Sequence, residues 1–331
     1  MLNIGLLGAG RIGQLHASTI AGHKDSQLVA VSDIHQPAAE AVAQQFTAAA
    51  TSSEEIIANP DIDAVLIATS TDTHSDLIEA ATAAGKAVFC EKPVDLSLER
   101  ARQCQKKVAE TGQPVMIGFN RRFDPNFAAV KTALQAGEIG KAELLSVTSF
   151  DPAPPPVSYV KVSGGLFRDM MIHDFDMTNF IMGEAPVSIH ATGSCVVDPE
   201  IGAAGDVDTA AVILTYEDGK IAVIKNSRRA VYGYDQRVEL LGSDGLLQAQ
   251  NMLENTVVKS TKDGVIGAKP TYFFLERYMP AYIAEWASFV EAVLNKTAMP
   301  VTLDDGVAAL AMAEAASRSA AEHKPVTLAD V

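Results

Sequence analysis

The chain has 331 residues, of which 48% are hydrophobic and 20% charged, and its formal net charge is −15 at pH 7. This length predicts two domains that can each bury a sizeable core. The acidic balance argues against a nucleic-acid partner, because phosphate binding needs clustered Lys and Arg, and no apolar run approaches membrane-spanning length. Three widely spaced cysteines (Cys90, Cys104 and Cys195) indicate neither a disulfide framework nor a zinc site. The first residues lack a basic region and a cleavage site, so we expect a cytoplasmic protein.

The chain opens with a strand, a glycine-rich turn, a helix and a second strand. The apolar run Leu2–Leu7 predicts the first strand, and Gly8–Gly13 (Gly-Ala-Gly-Arg-Ile-Gly) follows it directly. Gln14–Ala21 has helical composition, and the apolar run Leu28–Ser32 then leads into Asp33. This order is typical of a dinucleotide-binding unit.

Each part of this motif has a predicted task in binding the dinucleotide. Gly8 allows the tight turn, Gly10 lets the backbone approach a pyrophosphate, and Gly13 lets the helix pack closely on the strand. Asp33 lies where a carboxylate can bind the adenosine ribose hydroxyls, which favours NAD. Arg11 could partly compensate a 2′-phosphate, so use of both NAD and NADP stays open. The predicted contacts of the turn are Gly8, Ala9, Gly10, Arg11, Ile12 and Gly13.

Strands and helices continue to alternate up to Gly118, which predicts a parallel, doubly wound sheet with ligands at the carboxyl ends of its strands. The predicted helices are Pro37–Gln45, Glu54–Ala58, a helix ending at Ala84, and Leu98–Glu110; the predicted strands are Ala64–Ala68, Lys86–Cys90 and Pro114–Gly118. At the strand ends we expect further cofactor contacts from Thr69, Ser70, Thr71, His74, Glu91 and Lys92, with Asn120 and Arg121 on the nicotinamide side.

The pattern changes after the helix Asn126–Ala136, so we expect a dinucleotide-binding domain of residues 1–120 and a substrate and oligomerisation domain of residues 121–331. Turn signals separate the later strands, which indicates an open, mostly antiparallel sheet of about six strands. Ala142–Phe150 is predicted as a strand, and the six later segments are Val187–Val196, Thr209–Tyr216, Lys220–Ser227, Gln236–Leu241, Gly245–Gln250 and Asn255–Ser260. Two helices, Phe274–Leu294 and Leu303–His323, close the chain. The last helix could pack back on the first domain. An exposed sheet face favours a homo-oligomer, a dimer or a tetramer.

The segment Ser163–Met177 carries the strongest candidate for a general base. As one helix entered after a Gly-Gly turn, it places Asp169 and His173 one turn apart on the same face. A carboxylate that orients an imidazole in apolar surroundings suits proton abstraction. The alternative is an ordinary buried histidine pinned by an aspartate. A metal site built on His173, Asp174 and Asp176 is less favoured, because adjacent helical side chains diverge.

These motifs resemble the Gfo/Idh/MocA oxidoreductase family, over essentially the whole chain. The similarity rests on the glycine turn, on Glu91-Lys92-Pro93, and on Gly164-Gly165 followed by the Asp169-x-x-x-His173-Asp174 pattern. It implies an N-terminal Rossmann domain joined to an α+β domain. It also implies that Lys92, Asp169 and His173 act at the nicotinamide, and that the Lys92–Pro93 bond is cis.

Within the family, the run Gly165–Met177 is most similar to bacterial inositol 2-dehydrogenases of inositol catabolism. The resemblance therefore implies NAD-dependent oxidation of a cyclic polyol, first of all myo-inositol, by a homotetramer without bound metal. The loop Asp151–Val157 and the segment Tyr232–Asp235 are similar to substrate-side elements, which makes Asp151 and Tyr232 candidate substrate contacts. Other inositol isomers, glucose or galactose remain alternative substrates, and a non-catalytic NAD- or sugar-binding sensor is the alternative of another class.

Overall fold

The computed structural model describes residues 1–331 and divides them into two compact units. The first unit comprises Met1–Asn120 and Tyr282–Leu310, and the second comprises Arg121–Ala281 and Ala311–Val331. No helix in either unit combines the length and the apolar character that crossing a membrane would require.

The first unit is built around a six-stranded parallel sheet. Its strands lie in the order β3-β2-β1-β4-β5-β6, the arrangement typical of a complete Rossmann sheet. The elements in chain order are β1 (Leu2–Leu7), α1 (Arg11–Gly22), β2 (Ser26–Ser32), α2 (Gln36–Phe46), β3 (Ala49–Ala50), α3 (Ser53–Ala58), β4 (Ala64–Ile67), α4 (His74–Ala83), β5 (Ala87–Glu91), α5 (Leu98–Thr111) and β6 (Val115–Gly118). The predicted doubly wound domain is confirmed.

The central strands of this sheet are continuous apolar runs because helices cover both of their faces. All four residues of β4, Ala64–Ile67, are buried, and β1 and β4 pair in parallel from Ile4 opposite Ala64 to Leu7 opposite Ile67. The chain order reverses between β1 and β4, so a crevice opens at the carboxyl ends of these two strands. The glycine turn and the Thr69 loop follow directly from those ends.

The second unit contains a mixed sheet and several short helices. Its elements are α6 (Pro125–Gln135), β7 (Ala142–Phe150), α7 (Val157–Ser163), α8 (Leu166–Asp169), α9 (Ile172–Met182), β8 (Ser188–Ser194), α10 (Pro199–Ala203), β9 (Thr209–Thr215), β10 (Ile221–Ser227), β11 (Asp235–Gly242), β12 (Gly245–Ala249), β13 (Lys259–Thr261), β14 (Gly264–Ile266), α11 (Phe274–Asn295), α12 (Leu303–Glu322) and β15 (Val326–Thr327). The helices α11 and α12 each continue from one unit into the other.

The large sheet has seven strands in the order β12-β11-β7-β10-β9-β8-β15. All its pairs are antiparallel except β7 with β10, which confirms an open, mostly antiparallel sheet. The expected strand Asn255–Ser260 is wrong, because only Lys259–Thr261 is extended and it pairs with Gly264–Ile266 in a separate hairpin. The seventh strand is Val326–Thr327, which is too short to show any periodicity.

The predicted single helix that follows the Gly164-Gly165 turn and continues through Met177 is also wrong. The chain forms α8 up to Asp169 and starts α9 at Ile172, and the carbonyl of Leu166 accepts hydrogen bonds from the N–H groups of both Met170 and Met171. This widened turn interrupts the helical ladder. Asp169 therefore ends one helix and His173 lies in the first turn of the next, so the argument from one continuous helix face does not apply.

Trp286 shows why part of α11 belongs with the first unit. Its ring is buried against Phe89 and Phe289, and its Nε1 atom donates a hydrogen bond of 3.0 Å to the Ser26 hydroxyl at the start of β2. A buried indole needs a partner for its N–H. The helix α11 thus adds Trp286 and Phe289 to an aromatic cluster around Phe89 of β5.

Candidate active site

The glycine turn of the first unit leaves room for a dinucleotide. Gly8 has a φ of +100°, and a Cβ atom on it would lie 2.4 Å from the carbonyl oxygen of Ala68. A Cβ on Gly13 would lie 2.0 Å from the carbonyl oxygen of Gly8. Nothing lies within 4 Å of the Cβ position of Gly10. Gly8 and Gly13 are thus required by the protein's own packing, whereas Gly10 opens onto space that a pyrophosphate can use.

The helix α1 starts directly behind this space. Gly10 is its N-cap and makes no side-chain capping bond. The first intrahelical bond joins the N–H of Gln14 to the carbonyl of Gly10. The N–H groups of the first turn and the positive end of the helix dipole suit the binding of phosphates.

Asp33 is held in place at the end of β2. Its Oδ2 atom accepts a hydrogen bond of 2.6 Å from the N–H of Ala9, and its Oδ1 atom accepts one of 2.7 Å from the N–H of His35. A carboxylate has about four lone-pair positions, so it can still accept bonds from ribose hydroxyls. The same negative charge disfavours a 2′-phosphate at this position.

The loop after β4 contains three further predicted cofactor contacts. The Thr69 hydroxyl lies 2.7 Å from that of Thr73, across a short 3₁₀ turn over Thr71–Thr73 that follows Ser70. The contact between the two hydroxyls tightens the loop. The loop lies beside the glycine turn, since Gly8 packs against Ala68 and Thr69.

His74 is buried and links two strand-end loops. Its Nδ1 atom lies 2.8 Å from the carbonyl oxygen of Pro93, and its Nε2 atom lies 3.2 Å from that of Thr69. Burial is the main cause of the lowering of its pKa, although both carbonyls oppose that shift. The imidazole thus holds the two loops together, and its contact with the cofactor stays a prediction.

The Glu91-Lys92-Pro93 segment follows at the end of β5, and the Lys92–Pro93 peptide bond is cis, as predicted. Glu91 Oε1 lies 2.7 Å from Nε2 of the buried His16 on α1. His16 was not among the residues predicted from the sequence. Its signal was its place on the inner face of the helix that begins at the glycine turn.

Asn120 is the last residue of the first part of this unit. It is 3% exposed, and its Nδ2 atom has no hydrogen-bond partner within the protein. An unsatisfied buried amide donor is rare and costly. A bound molecule that offers an acceptor here would remove that cost, and this fits the expected place of Asn120 beside the nicotinamide.

In the second unit, Asp169 is held by side chains from outside its own helix. Its Oδ1 atom accepts a hydrogen bond of 2.8 Å from the Tyr159 hydroxyl, and its Oδ2 atom lies 3.9 Å from Nη1 of the buried Arg228. Arg228 also approaches Asp206 at 3.5 Å. Tyr159 and Arg228 were not predicted from the sequence. Arg228 is 59 residues away from Asp169 along the chain, so no local pattern connects the two.

Asp151 lies at the end of β7, close to this cluster. Burial raises its pKa to about 7, and the charges of Asp169 and Asp174 add to the rise, while Arg228 and Arg121 oppose it. A carboxyl group with a pKa near neutrality can either donate or accept a hydrogen bond at physiological pH. Asp151 therefore suits contact with hydroxyl groups.

The two aspartates that follow His173 on α9 are each paired with an arginine. Arg121 Nη1 donates a bond of 2.6 Å to Asp174 and one of 3.0 Å to the Ser149 hydroxyl, deep in the unit. Arg122 binds both oxygens of Asp176. Since the guanidinium of Arg121 is committed to this buried network, its contacts support α9, and its contact with the cofactor stays a prediction.

Tyr232, the other predicted substrate contact, is 45% exposed. Its hydroxyl donates a bond of 2.5 Å to Oδ2 of Asp235, which also binds Arg237. The phenol is therefore anchored near the start of β11 and is partly open to solvent.

Comparisons with known proteins agree with this arrangement. Residues 2–119 match a family model described as an oxidoreductase family with an NAD-binding Rossmann fold, and residues 127–248 match the GFO/IDH/MocA C-terminal domain. The chain is 50% identical over 328 residues to the inositol 2-dehydrogenase of Rhizobium meliloti, and the match covers 99% of each protein. The chain belongs to the Gfo/Idh/MocA oxidoreductase family. This membership confirms the predicted family, the dehydrogenase class and NAD as the cofactor.

Two solved structures extend the comparison of this Gfo/Idh/MocA member. A myo-inositol dehydrogenase from Corynebacterium glutamicum is 43% identical to it, with a TM-score of 0.96 over 99% of each chain. The scyllo-inositol dehydrogenase of Lactobacillus casei, solved with bound NAD(H) and scyllo-inositol, is 30% identical, with a TM-score of 0.93 over 99% of each chain.

Proposed function

We propose that this family member catalyses the NAD-dependent oxidation of myo-inositol at one secondary hydroxyl, giving 2-keto-myo-inositol (scyllo-inosose). The observation that carries the proposal is the end-to-end similarity to an inositol 2-dehydrogenase at 50% identity. The chain also contains each residue that the chemistry requires, with Lys92 in the first unit and Asp169 and His173 in the second.

The NAD cofactor, when bound, supplies the nicotinamide C4 position that accepts the hydride. We assign the pyrophosphate to the backbone of the glycine turn and to the start of α1, and the adenosine ribose to Asp33. Asn120 would donate from its unsatisfied Nδ2 atom on the nicotinamide side, and Arg121 is a further proposed contact there. The remaining proposed contacts are Thr69, Ser70, Thr71, His74, Glu91 and Lys92.

His173 is the proposed general base and removes the proton from the hydroxyl that is oxidised. Asp169 orients the imidazole and stabilises its protonated form, and its own position is maintained by Tyr159 and Arg228. Lys92 donates a hydrogen bond to the reacting oxygen and stabilises the alkoxide charge that develops on it. The proton thus passes to His173 while the carbinol hydride leaves the ring carbon.

Asp151 and Tyr232 are the proposed contacts to the other ring hydroxyls. The pKa of Asp151, about 7, lets it meet either the hydrogen or the lone pair of a hydroxyl. The phenol of Tyr232 can accept a bond while it donates to Asp235. A ring with several hydroxyls needs such paired donors and acceptors to be bound in a single orientation.

The test is the rate of NADH formation by the purified enzyme against a panel of inositols, glucose and galactose. We expect the highest kcat/KM for myo-inositol, and the ketone as the product by mass spectrometry. A higher value for an aldose would contradict the proposed substrate. Binding of NADH without turnover of any polyol would instead favour the non-catalytic sensor.

A second candidate substrate is scyllo-inositol, because a structural relative at 30% identity binds it. The two isomers differ only in the orientation of one hydroxyl group. The ratio of their kcat/KM values therefore distinguishes the candidates directly, and a ratio in favour of scyllo-inositol would replace myo-inositol in the proposal.

We propose further that the enzyme is a homo-oligomer, a dimer or a tetramer, which associates through the exposed face of the large sheet. Leu246, Leu241, Leu144 and Ile221 lie side by side in register across four strands, and each is 39–48% exposed. Light scattering should give a multiple of the monomer mass, which Ile221→Glu lowers and Ile34→Glu, at a fully exposed position in the first unit, does not. A monomeric native enzyme would contradict this proposal. The cytoplasmic location stays a prediction.

A further inference from the structure

Two buried histidines contact the residues on either side of Lys92. His16 lies 2.7 Å from the carboxylate of Glu91, the residue before the lysine. His74 lies 2.8 Å from the carbonyl oxygen of Pro93, the residue after it. The histidines come from two different helices, α1 and α4, and all of these residues belong to the first unit.

The pocket around the first pair is shaped for it. His16 is fully buried, and its ring packs edge-to-face against the rings of Phe89 and Tyr282. The distances between ring centroids are 5.3 Å and 5.7 Å. A Cβ atom on Gly118 would lie 3.2 Å from Oε2 of Glu91, so the glycine leaves room for the carboxylate. A hydrogen bond between these groups in such dry surroundings is strong and directional.

The second pair is reinforced by the residue that follows His74. The Nε2 atom of His74 lies 3.2 Å from the carbonyl oxygen of Thr69, and the buried Ser75 hydroxyl donates a bond of 3.2 Å to the carbonyl of Val94. The start of α4 therefore holds the backbone just past the lysine and ties it to the loop after β4.

Burial of an imidazole costs free energy that an apolar side chain would not. The protein buries both of these imidazoles at the one segment that carries Lys92. This argues that the role of the two histidines is more than structural. We propose that His16 and His74 are positioning residues that hold the Glu91 carboxylate and the Pro93 carbonyl, on either side of Lys92, and so direct its ammonium group at the reacting oxygen. This inference rests on the catalytic role of Lys92 in the proposed function.

The proposal also connects the lysine to the dinucleotide site. His16 lies three residues beyond Gly13, on the helix whose N-terminus is the proposed site of the pyrophosphate. Thr69, which His74 contacts, packs against Gly8. The same two histidines thus fix Lys92 relative to the glycine turn.

The experiment is a pair of double-mutant cycles in the full-length enzyme. His16→Leu and His74→Leu should each lower kcat by roughly 10–100-fold, the size of effect that a small misplacement of a catalytic group produces. In a Lys92→Ala background, which itself should lower kcat, each should cost no more than about twofold, because a residue that acts through Lys92 has nothing left to position. The affinity for NADH, measured by fluorescence, separates loss of cofactor binding from loss of positioning.

Two conservative variants keep the proposal testable if the leucine variants do not fold. The amide of His16→Gln can replace the Nε2 donor toward Glu91, and that of His74→Asn can replace the Nδ1 donor toward Pro93. Both should retain most of kcat with a normal thermal transition, and low kcat in a folded, NADH-binding conservative variant overturns the proposal. The proposal is also overturned if the leucine substitutions lower kcat in the Lys92→Ala background by as much as they do in the native enzyme. Normal kcat of Lys92→Ala alone overturns both the inference and the role of Lys92 in the proposed function.

Discussion

The Tyr159 hydroxyl donates a hydrogen bond of 2.8 Å to Oδ1 of Asp169, the carboxylate that we assign to the orientation of the general base. Tyr159 comes from α7, on the other side of the two-glycine turn from Asp169. The pKa of the tyrosine is raised by burial and by the negative charge of Asp169, so the phenol stays a donor over the whole physiological range.

Tyr159→Phe should lower kcat/KM for the polyol by about tenfold, because a hydrogen bond to a charged group contributes about 1.5–3 kcal/mol. The affinity for NADH should not change, since α7 lies outside the first unit. Steady-state kinetics and NADH titration measure the two quantities. Tyr272→Phe, at a tyrosine that is 60% exposed, is the matched control. Equal kinetics of the Tyr159 variant and the native enzyme would exclude a contribution of this bond.

His173→Ala should lower kcat by about 10²–10⁴-fold, the usual contribution of general-base catalysis. Binding of NADH should be nearly unchanged, because His173 belongs to the second unit. His190→Ala removes an exposed imidazole from β8 of the same unit and serves as the control for loss of a histidine. If the His173 variant turns over at nearly the native rate, another group must take the proton.

Asp33→Ser should raise the ratio of kcat/KM for NADP to that for NAD by about tenfold, which corresponds to about 1.4 kcal/mol. The loss of negative charge removes repulsion of a 2′-phosphate. Asp33 also binds the N–H groups of Ala9 and His35, so Asp33→Asn is the better control for loop structure, because its amide oxygen can keep one of these bonds. An unchanged ratio in both variants would mean that Asp33 does not contact the ribose.

Asp151 should make stability depend on pH in a defined direction. Its pKa is about 7 in the folded protein and about 4 in an unfolded chain, so between these values the folded state binds more protons. The stability that this provides is complete below about pH 4 and is lost as the pH rises through 7. Asp151→Asn cannot ionise, so its Tm relative to the native enzyme should increase between pH 5 and pH 8. A Tm difference that is constant over this range would contradict the raised pKa.

Local patterns were sufficient for the first unit and for most strands of the second. The glycine spacing and the alternation of apolar runs with helical segments predict the doubly wound sheet, since each signal lies within a few neighbouring residues. The predicted Leu2–Leu7 and Ala142–Phe150 strands have the same bounds in the structure. The positions of Asp33 and Glu91 at strand ends follow from the same local signals.

The failures share a physical cause. The interruption at Met170 and Met171 depends on how one carbonyl, that of Leu166, is shared by two N–H groups, and composition carries no sign of that choice. The short strand Val326–Thr327 exists only because β8 offers it a partner. Elements of this kind are stabilised by tertiary contacts that override the local preference.

The sequence by itself therefore determined the family and the cofactor, because these depend on residue types at short, regular spacings. The roles of Lys92, Asp169 and His173 stay predictions. Only the tertiary structure decided what supports them. His16 meets Glu91 across 75 positions of the chain, and Arg228 approaches Asp169 across 59. Such pairs are selected by the geometry of packed strands and helices, and hydrogen bonds between distant side chains leave no periodic trace along the chain.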